Sequence, residues 1–276
     1  MLQRLLRRAL LVLAAATLLA GCATTSSGGR PAAPSATVAT AAERAALAPS
    51  GRLRVGVYAG SPSSLVQDGQ GRPAGVAHDL GLALAQRLGV PVDVVPFERL
   101  ALVVDAVRDG RVDFTFTNAS AARARIVDFT EPLLRLELGF LVPVDAPIQG
   151  MADVDRPGVR LGVSQGSSSQ AALGTQLRHA TLVGAASISE AQAHLRRGDI
   201  QAFATNKAIL NEMLQGLPGF RVLDGRWGLE HLAIAIPKGR DAGRLFLQQF
   251  ARDVEASGAL AAMVQRAGLR GLAPRD

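Results

Sequence analysis

Twice along this chain the same order of short segments returns, and that recurrence limits the fold more than any single residue does. Residues 52–58 read as a strand, and Leu80, Leu84 and Leu88 then recur at helical spacing and stop at Gly89. Residues 92–95 form a second strand, 100–109 a second helix ended by Gly110, and 112–117 a third strand. A strand, helix, strand, helix, strand order makes a parallel half-sheet with helical crossovers. The order repeats as strand 159–163, a Gly-Ser loop, a helix to Leu177, strand 181–183, helix 189–197, strand 200–204 and helix 206–215. An α/β protein with two lobes of like design is predicted, each a mixed, mainly parallel sheet flanked by helices.

Between the halves, residues 136–144 form a long apolar segment that contains Pro143, and a second apolar segment, 232–236, follows Trp227. Each is suited to cross from one lobe to the other, and two crossings make a hinge. Residues 241–256 and 259–268 read as closing helices, with Leu245, Phe246, Phe250 and Val254 on one face of the first. The expected division is a first lobe of residues 51–143 plus 232–276 and a second of residues 144–231. Trp227 is expected near the hinge or in the second lobe.

The N-terminal end is of another kind. Arg4, Arg7 and Arg8 precede an apolar run over residues 9–19, the layout of a secretory signal over residues 1–21. The run is short for a bilayer span. Leu19-Ala20-Gly21-Cys22 resembles the bacterial lipobox, which makes Cys22 the candidate for lipidation; it is also the only cysteine, so no internal disulfide is possible. In the lipoprotein class this resembles, Ala23 after the cysteine implies sorting to the outer membrane, and hence a periplasmic protein held by its lipid. Residues 22–50 carry Ala, Thr, Ser, Pro and Gly without an apolar period and read as a disordered tether. Losing residues 1–21 removes three arginines and no acid, which takes the net charge from +7 to +4. That charge forms no basic stripe and is not interleaved with aromatics, so nucleic acid is not an expected partner.

In open α/β sheets ligands bind beyond the carboxyl ends of the strands, where loops and helix N-termini converge. After the third strand stand Asn118, Ser120 and Arg123; after the second lobe's first strand stand Ser167 and Ser168; after its third stands Asn206; and the polar loop after the first strand holds Ser63. All of these except Arg123 are short hydrogen-bonding groups. The serine loop runs into a helix, whose N–H groups and dipole favour an anion, and the guanidinium of Arg123 suits a carboxylate held by two parallel bonds. A lone arginine also serves in surface pairs and Gly-Ser runs also serve as plain turns, so the weight rests on their shared placement at strand ends. His78, His179, His194 and His231 have no metal-ligand spacing and no nucleophile motif, and no metal, cofactor or catalytic group is expected.

The chain resembles the periplasmic solute-binding proteins typified by amino-acid uptake systems, solute-binding family 3. The resemblance runs from about residue 51 to 271 and rests on Leu53-Arg54-Val55-Gly56-Val57, Gly75, the stretch from Arg123 to Pro132, Leu141-Val142-Pro143, Val163-Ser164-Gln165-Gly166-Ser167 and Gly198-Asp199-Ile200-Gln201-Ala202. It implies the type II two-lobe binding fold, a monomer, a small polar ligand bearing a carboxylate in the inter-lobe cleft, and the membrane permease of an ABC transporter as partner. It also implies that Arg123 and the loop Gly166-Ser167-Ser168 take the ligand's α-carboxylate. The family's acidic residue for an α-ammonium falls on Asn206, a neutral amide, and its stacking aromatic after the first strand is replaced by Ser61-Pro62-Ser63-Ser64.

Three functions fit this reading. A binding module clasps its ligand and presents the closed form to a permease. An enzyme on the same scaffold, similar to dehydratases acting on cyclic carboxylic acids, needs a positioned acid or base, and Asn206 stands where such a carboxylate would be. A sensor or scaffold lipoprotein binds a signalling molecule or a partner without feeding a transporter.

Overall fold

The computed structural model describes residues 38–274. The signal over residues 1–21, Cys22 and the tether up to residue 37 lie outside the described residues. The last part of the tether is not a coil. Residues Ala41–Leu47 form helix α1, capped by Thr40, whose hydroxyl accepts from the Glu43 N–H while the Glu43 carboxylate accepts from the Thr40 N–H. An alanine-rich turn without a long apolar period looks like linker in sequence, but Leu47 is buried in the core.

The first lobe follows in chain order. Strand β1 (Leu53–Tyr58) leads to a hairpin of β2 (Val66–Gln67) and β3 (Pro73–Ala74), helix α2 (Val76–Leu88), β4 (Val92–Phe97), α3 (Leu100–Arg108), β5 (Thr115–Asn118), the single turn α4 (Ala121–Ala124) and β6 (Val127–Phe129). β1 and β4 pair in parallel from Leu53 opposite Val92 to Tyr58 opposite Phe97, and β5 adjoins β1 through the Gly56 N–H and the Phe114 carbonyl. Helix α2 lies close on β1 because Gly81 has no side chain: an added Cβ would stand 2.5 Å from a Val55 methyl.

The chain then enters β7 (Leu134–Pro143) and builds the second lobe: β8 (Arg160–Ser164), α5 (Ser168–Gln176), β9 (Thr181–Ala185), α6 (Ile188–Arg197), β10 (Ala202–Asn206), α7 (Lys207–Met213) and β11 (Phe220–Val222). β8 pairs in parallel with both β10 and β9. Strand β12 (Gly228–Pro237) returns to the first lobe, where α8 (Asp241–Ala256) and α9 (Ala259–Arg266) finish the fold. Phe246, Phe250 and Val254 of α8 are buried as predicted, but Leu245 is 77 % exposed; a step of about 100° carries it off the inward face. Gly243 on that inward face makes room for Leu47 of α1.

The two crossings are longer than the apolar segments that announce them. β7 and β12 run antiparallel from Leu134 opposite Leu232 to Leu138 opposite Gly228. Past Leu138, β7 goes on to pair with β10 and β11 of the second lobe. Past Leu232, β12 goes on to pair with β5 and β6 of the first. Each strand thus spends one half in either lobe. Trp227, just ahead of β12, lies in the second lobe, stacked on Phe140 at 6.0 Å with its indole N–H on the Gly139 carbonyl at 3.1 Å.

Candidate functional site

The first lobe brings Arg123 inward. Ser120 caps α4 by accepting from the Arg123 N–H, and this turn folds the guanidinium back beneath β5, where Arg123 is only 7 % exposed. Its Nη1 donates to the Thr117 hydroxyl at 2.9 Å and to the Asn118 carbonyl at 3.4 Å, while Nη2 is buried without an acceptor. Burial pushes this guanidinium below the ordinary arginine value, opposed by the pull of Glu230 and Tyr58. A buried charged donor left open is costly, and an anion would complete it.

The second lobe supplies hydroxyls and an amide. The turn after β8 passes through Gly166 at φ 74°, where the Gly166 N–H donates to Gln170 Oε1 at 2.7 Å. Ser167 caps α5 by accepting from the Gln170 N–H. Ser168 accepts from Asn118 Nδ2 at 3.3 Å, a bond between the lobes, and donates to Glu230 Oε1 at 3.1 Å. Asn206 ends β10 and caps α7: its Oδ1 accepts from the Ile209 N–H at 3.1 Å and its Nδ2 donates to Glu230 Oε2 at 2.9 Å.

These groups converge at the lobe boundary. Tyr58, Arg99 and Leu100 of the first lobe face Ser167, Ser168 and Asn206 of the second, with Glu230 on β12, around a chamber of about 20 Å³. That is room for about one water. A wide groove of about 930 Å³ adjoins it through Glu98, Ser187 and Ile188. The groove is larger and more open than the chamber, and none of the residues that line it has an orphaned buried polar atom. Arg99, which lines the chamber, has its Nε buried without an acceptor; Arg123 and Asn118 do not line it and meet it through the bond from Asn118 to Ser168. Burial pushes the Tyr58 phenol up to about 12, against the hydrogen bond with Ser61.

The predicted residues do not all arrive together. Arg123, Asn118, Ser168 and Asn206 form one network through Glu230, and Ser167 lines the chamber. Ser120 is a helix cap. Ser63 is buried beside Ser61 at 2.9 Å, and Ser61 in turn accepts from the Tyr58 hydroxyl at 3.2 Å, so Ser63 stands behind the tyrosine. A polar loop after a strand reads alike whether its hydroxyls face a ligand or one another.

Glu230 is the residue that sequence reasoning missed. It is 6 % exposed and on the crossing strand. The family's acidic position falls on the neutral amide of Asn206, and a carboxylate reaches that amide from another element. Glu230 stands two residues before the apolar run that marks the crossing, and both phases of that run are buried, so periodicity alone did not assign it to an inward face.

With this architecture in place, the sequence matches the family described as bacterial extracellular solute-binding proteins, family 3, over residues 53–268, and the chain belongs to that family. Its fold is the type II periplasmic binding fold. The solute receptor for L-cysteine of Neisseria gonorrhoeae is 26 % identical, with a TM-score of 0.73 over 83 % of this chain and 99 % of that one. An ancestral amino acid-binding protein, a precursor of cyclohexadienyl dehydratase, is 25 % identical with a TM-score of 0.69, over 79 % and 95 %. A binding component of an ABC transporter from Wolinella succinogenes, complexed with lysine, is 23 % identical with a TM-score of 0.68, over 78 % and 95 %. Among curated proteins, none matches. Among the described residues no helix is long and apolar enough to cross a membrane.

Proposed function

We propose that this protein is the periplasmic binding component of an ABC-type uptake system and closes its lobes around a small amino-acid-like solute whose carboxylate is taken by Arg123. The observation that carries this reading is the buried, open Nη2 of Arg123, on a guanidinium bonded to the carbonyl of Asn118, whose side chain reaches Ser168 of the second lobe. The named ligands of similar structures, cysteine and lysine, are α-amino acids, in keeping with that anion site. Cys22 at the foot of the signal would carry a lipid that holds the protein to the membrane, with the outer membrane favoured by Ala23. The lobes are taken as residues 51–143 with 232–276, and 144–231. The partner is the transporter's permease, and the protein acts as a monomer without cofactor or catalysis.

A thermal-shift screen of the purified protein against amino acids, amides, keto acids and dicarboxylates tests this. A ligand at about a thousand times its Kd adds about 4 kcal/mol of stability. Arg123→Ala is expected to cost about 3 to 5 kcal/mol of affinity, on the order of a hundredfold or more, by leaving a desolvated carboxylate unpaired. Unchanged affinity in that variant rejects the assignment.

Glu230 favours a second reading, because it puts into the cleft the carboxylic acid that dehydratase-like chemistry needs. Incubation with cyclic hydroxy acids, followed for loss of water, separates turnover from binding. A sensor lipoprotein would instead be encoded beside a kinase or cyclase and not beside permease and ATPase genes.

A further inference from the structure

We propose that Glu230 holds the ligand's ammonium group, so that the cation subsite stands on the crossing strand β12 and not at the N-cap of α7. This rests on the reading that Arg123 takes the carboxylate. The carboxylate of Glu230 is nine-tenths buried and receives only neutral donors, the Ser168 hydroxyl and the Asn206 amide. Among the described residues it has no cationic partner within ion-pair distance. A carboxylate has about four acceptor sites, so two donors leave room for an N–H donor of a ligand. Buried carboxylates are paired or neutralised as a rule, and a ligand ammonium is the pairing that the closed lobes leave available.

The amide at Asn206 explains the relocation. Its Oδ1 is engaged by the Ile209 N–H and its Nδ2 points a donor toward the cleft. In this arrangement Asn206 orients Glu230. Arg123 and Glu230 then present a guanidinium and a carboxyl group that make no ion pair with each other: Nη2 of Arg123 is buried without an acceptor, and each Glu230 oxygen takes a single neutral donor. A solute that bridges them carries the opposite charges at two separate points, which defines a zwitterion such as an α-amino acid. A simple carboxylic acid would satisfy Arg123 and leave Glu230 unpaired.

The experiment is a calorimetric comparison of matched pairs, each an amino acid and the acid of the same skeleton with hydrogen in place of the amino group. Wild type is expected to prefer the amino form by at least about thirtyfold, on the order of the 2 kcal/mol that a charged hydrogen bond contributes. Glu230→Gln keeps the shape and is expected to erase that preference while binding of the plain acid holds or improves. A wild-type protein indifferent to the amino group overturns the proposal without any variant, and so does a preference that survives in Glu230→Gln. If no carboxylate of either kind binds in an Arg123-dependent way, the underlying reading fails instead, and the two failures are told apart by the Arg123→Ala control.

Discussion

At the scale of single residues, the cleft keeps two buried charges of opposite sign out of direct contact, and Asn206 is the hinge of that arrangement. It caps α7 with one end of its amide and steadies Glu230 with the other. Asn206→Ala removes both bonds: loss of the cap costs about 1 kcal/mol, and a buried carboxylate deprived of one donor costs about 1 to 3 kcal/mol more. Asn206→Ser keeps a capping oxygen and loses only the contact with Glu230. Urea denaturation should therefore rank wild type above the serine variant and the serine variant above the alanine one. If serine and alanine variants melt together, the cap contributes nothing and the network around Glu230 carries the whole effect. Arg123 was picked out in sequence by its place after a strand end together with the serine loop and Asn206, and the structure buries it. Glu230 was not picked out, because an acid inside an otherwise apolar strand looks like its solvent-facing phase until pairing with β5 and β7 fixes which face is inward.

At the scale of elements, strands and crossover helices declared themselves through period and through glycine stops such as Gly89 and Gly198, both in the left-handed region. The short pieces did not. Helix α1 has seven residues and α4 has four, too few for an apolar period, and β6 and β11 are each fixed only by the long strand beside them. Loops in this fold are tied by side chains, as at Asp155. Its carboxylate accepts from the N–H groups of Arg178, His179 and Ala180, joining the turn before β8 to the turn before β9. Those three backbone bonds lower its pKa from 3.8 to about 2. Because the folded value lies below the ordinary one, the contribution is present above about pH 4 and is lost as the pH falls from there toward 2. In a series of melts across that window, wild type should lose stability relative to Asp155→Asn, and the two curves should converge at the acid end. Parallel curves would mean that the tie is not formed in solution.

At the scale of the whole molecule, a chamber of about 20 Å³ is too small for an amino acid, so the proposed function predicts that the lobes part along β7 and β12 and close again on binding. The contact that limits closure is legible in the geometry. Gly166 of the serine loop faces Ala101 of α3 across the boundary, and an added Cβ would stand 2.7 Å from the Ala101 methyl. Its φ of 74° adds strain of about 1 kcal/mol for any other residue. Gly166→Ala should then hold the lobes ajar: affinity falls about tenfold or more, while the melting temperature without ligand falls only by what the backbone strain costs, because the clash itself is relieved by opening. Ala101→Gly on the other lobe restores the space but not the backbone strain. In a double-mutant cycle the pair should therefore recover part of the lost affinity, with a coupling of about 0.5 kcal/mol or more. Small-angle scattering supplies the structural readout, since wild type should contract on ligand addition, Gly166→Ala less so, and the double variant in between. Strict additivity of the two substitutions would show that the serine loop and α3 do not meet in the ligand-bound state.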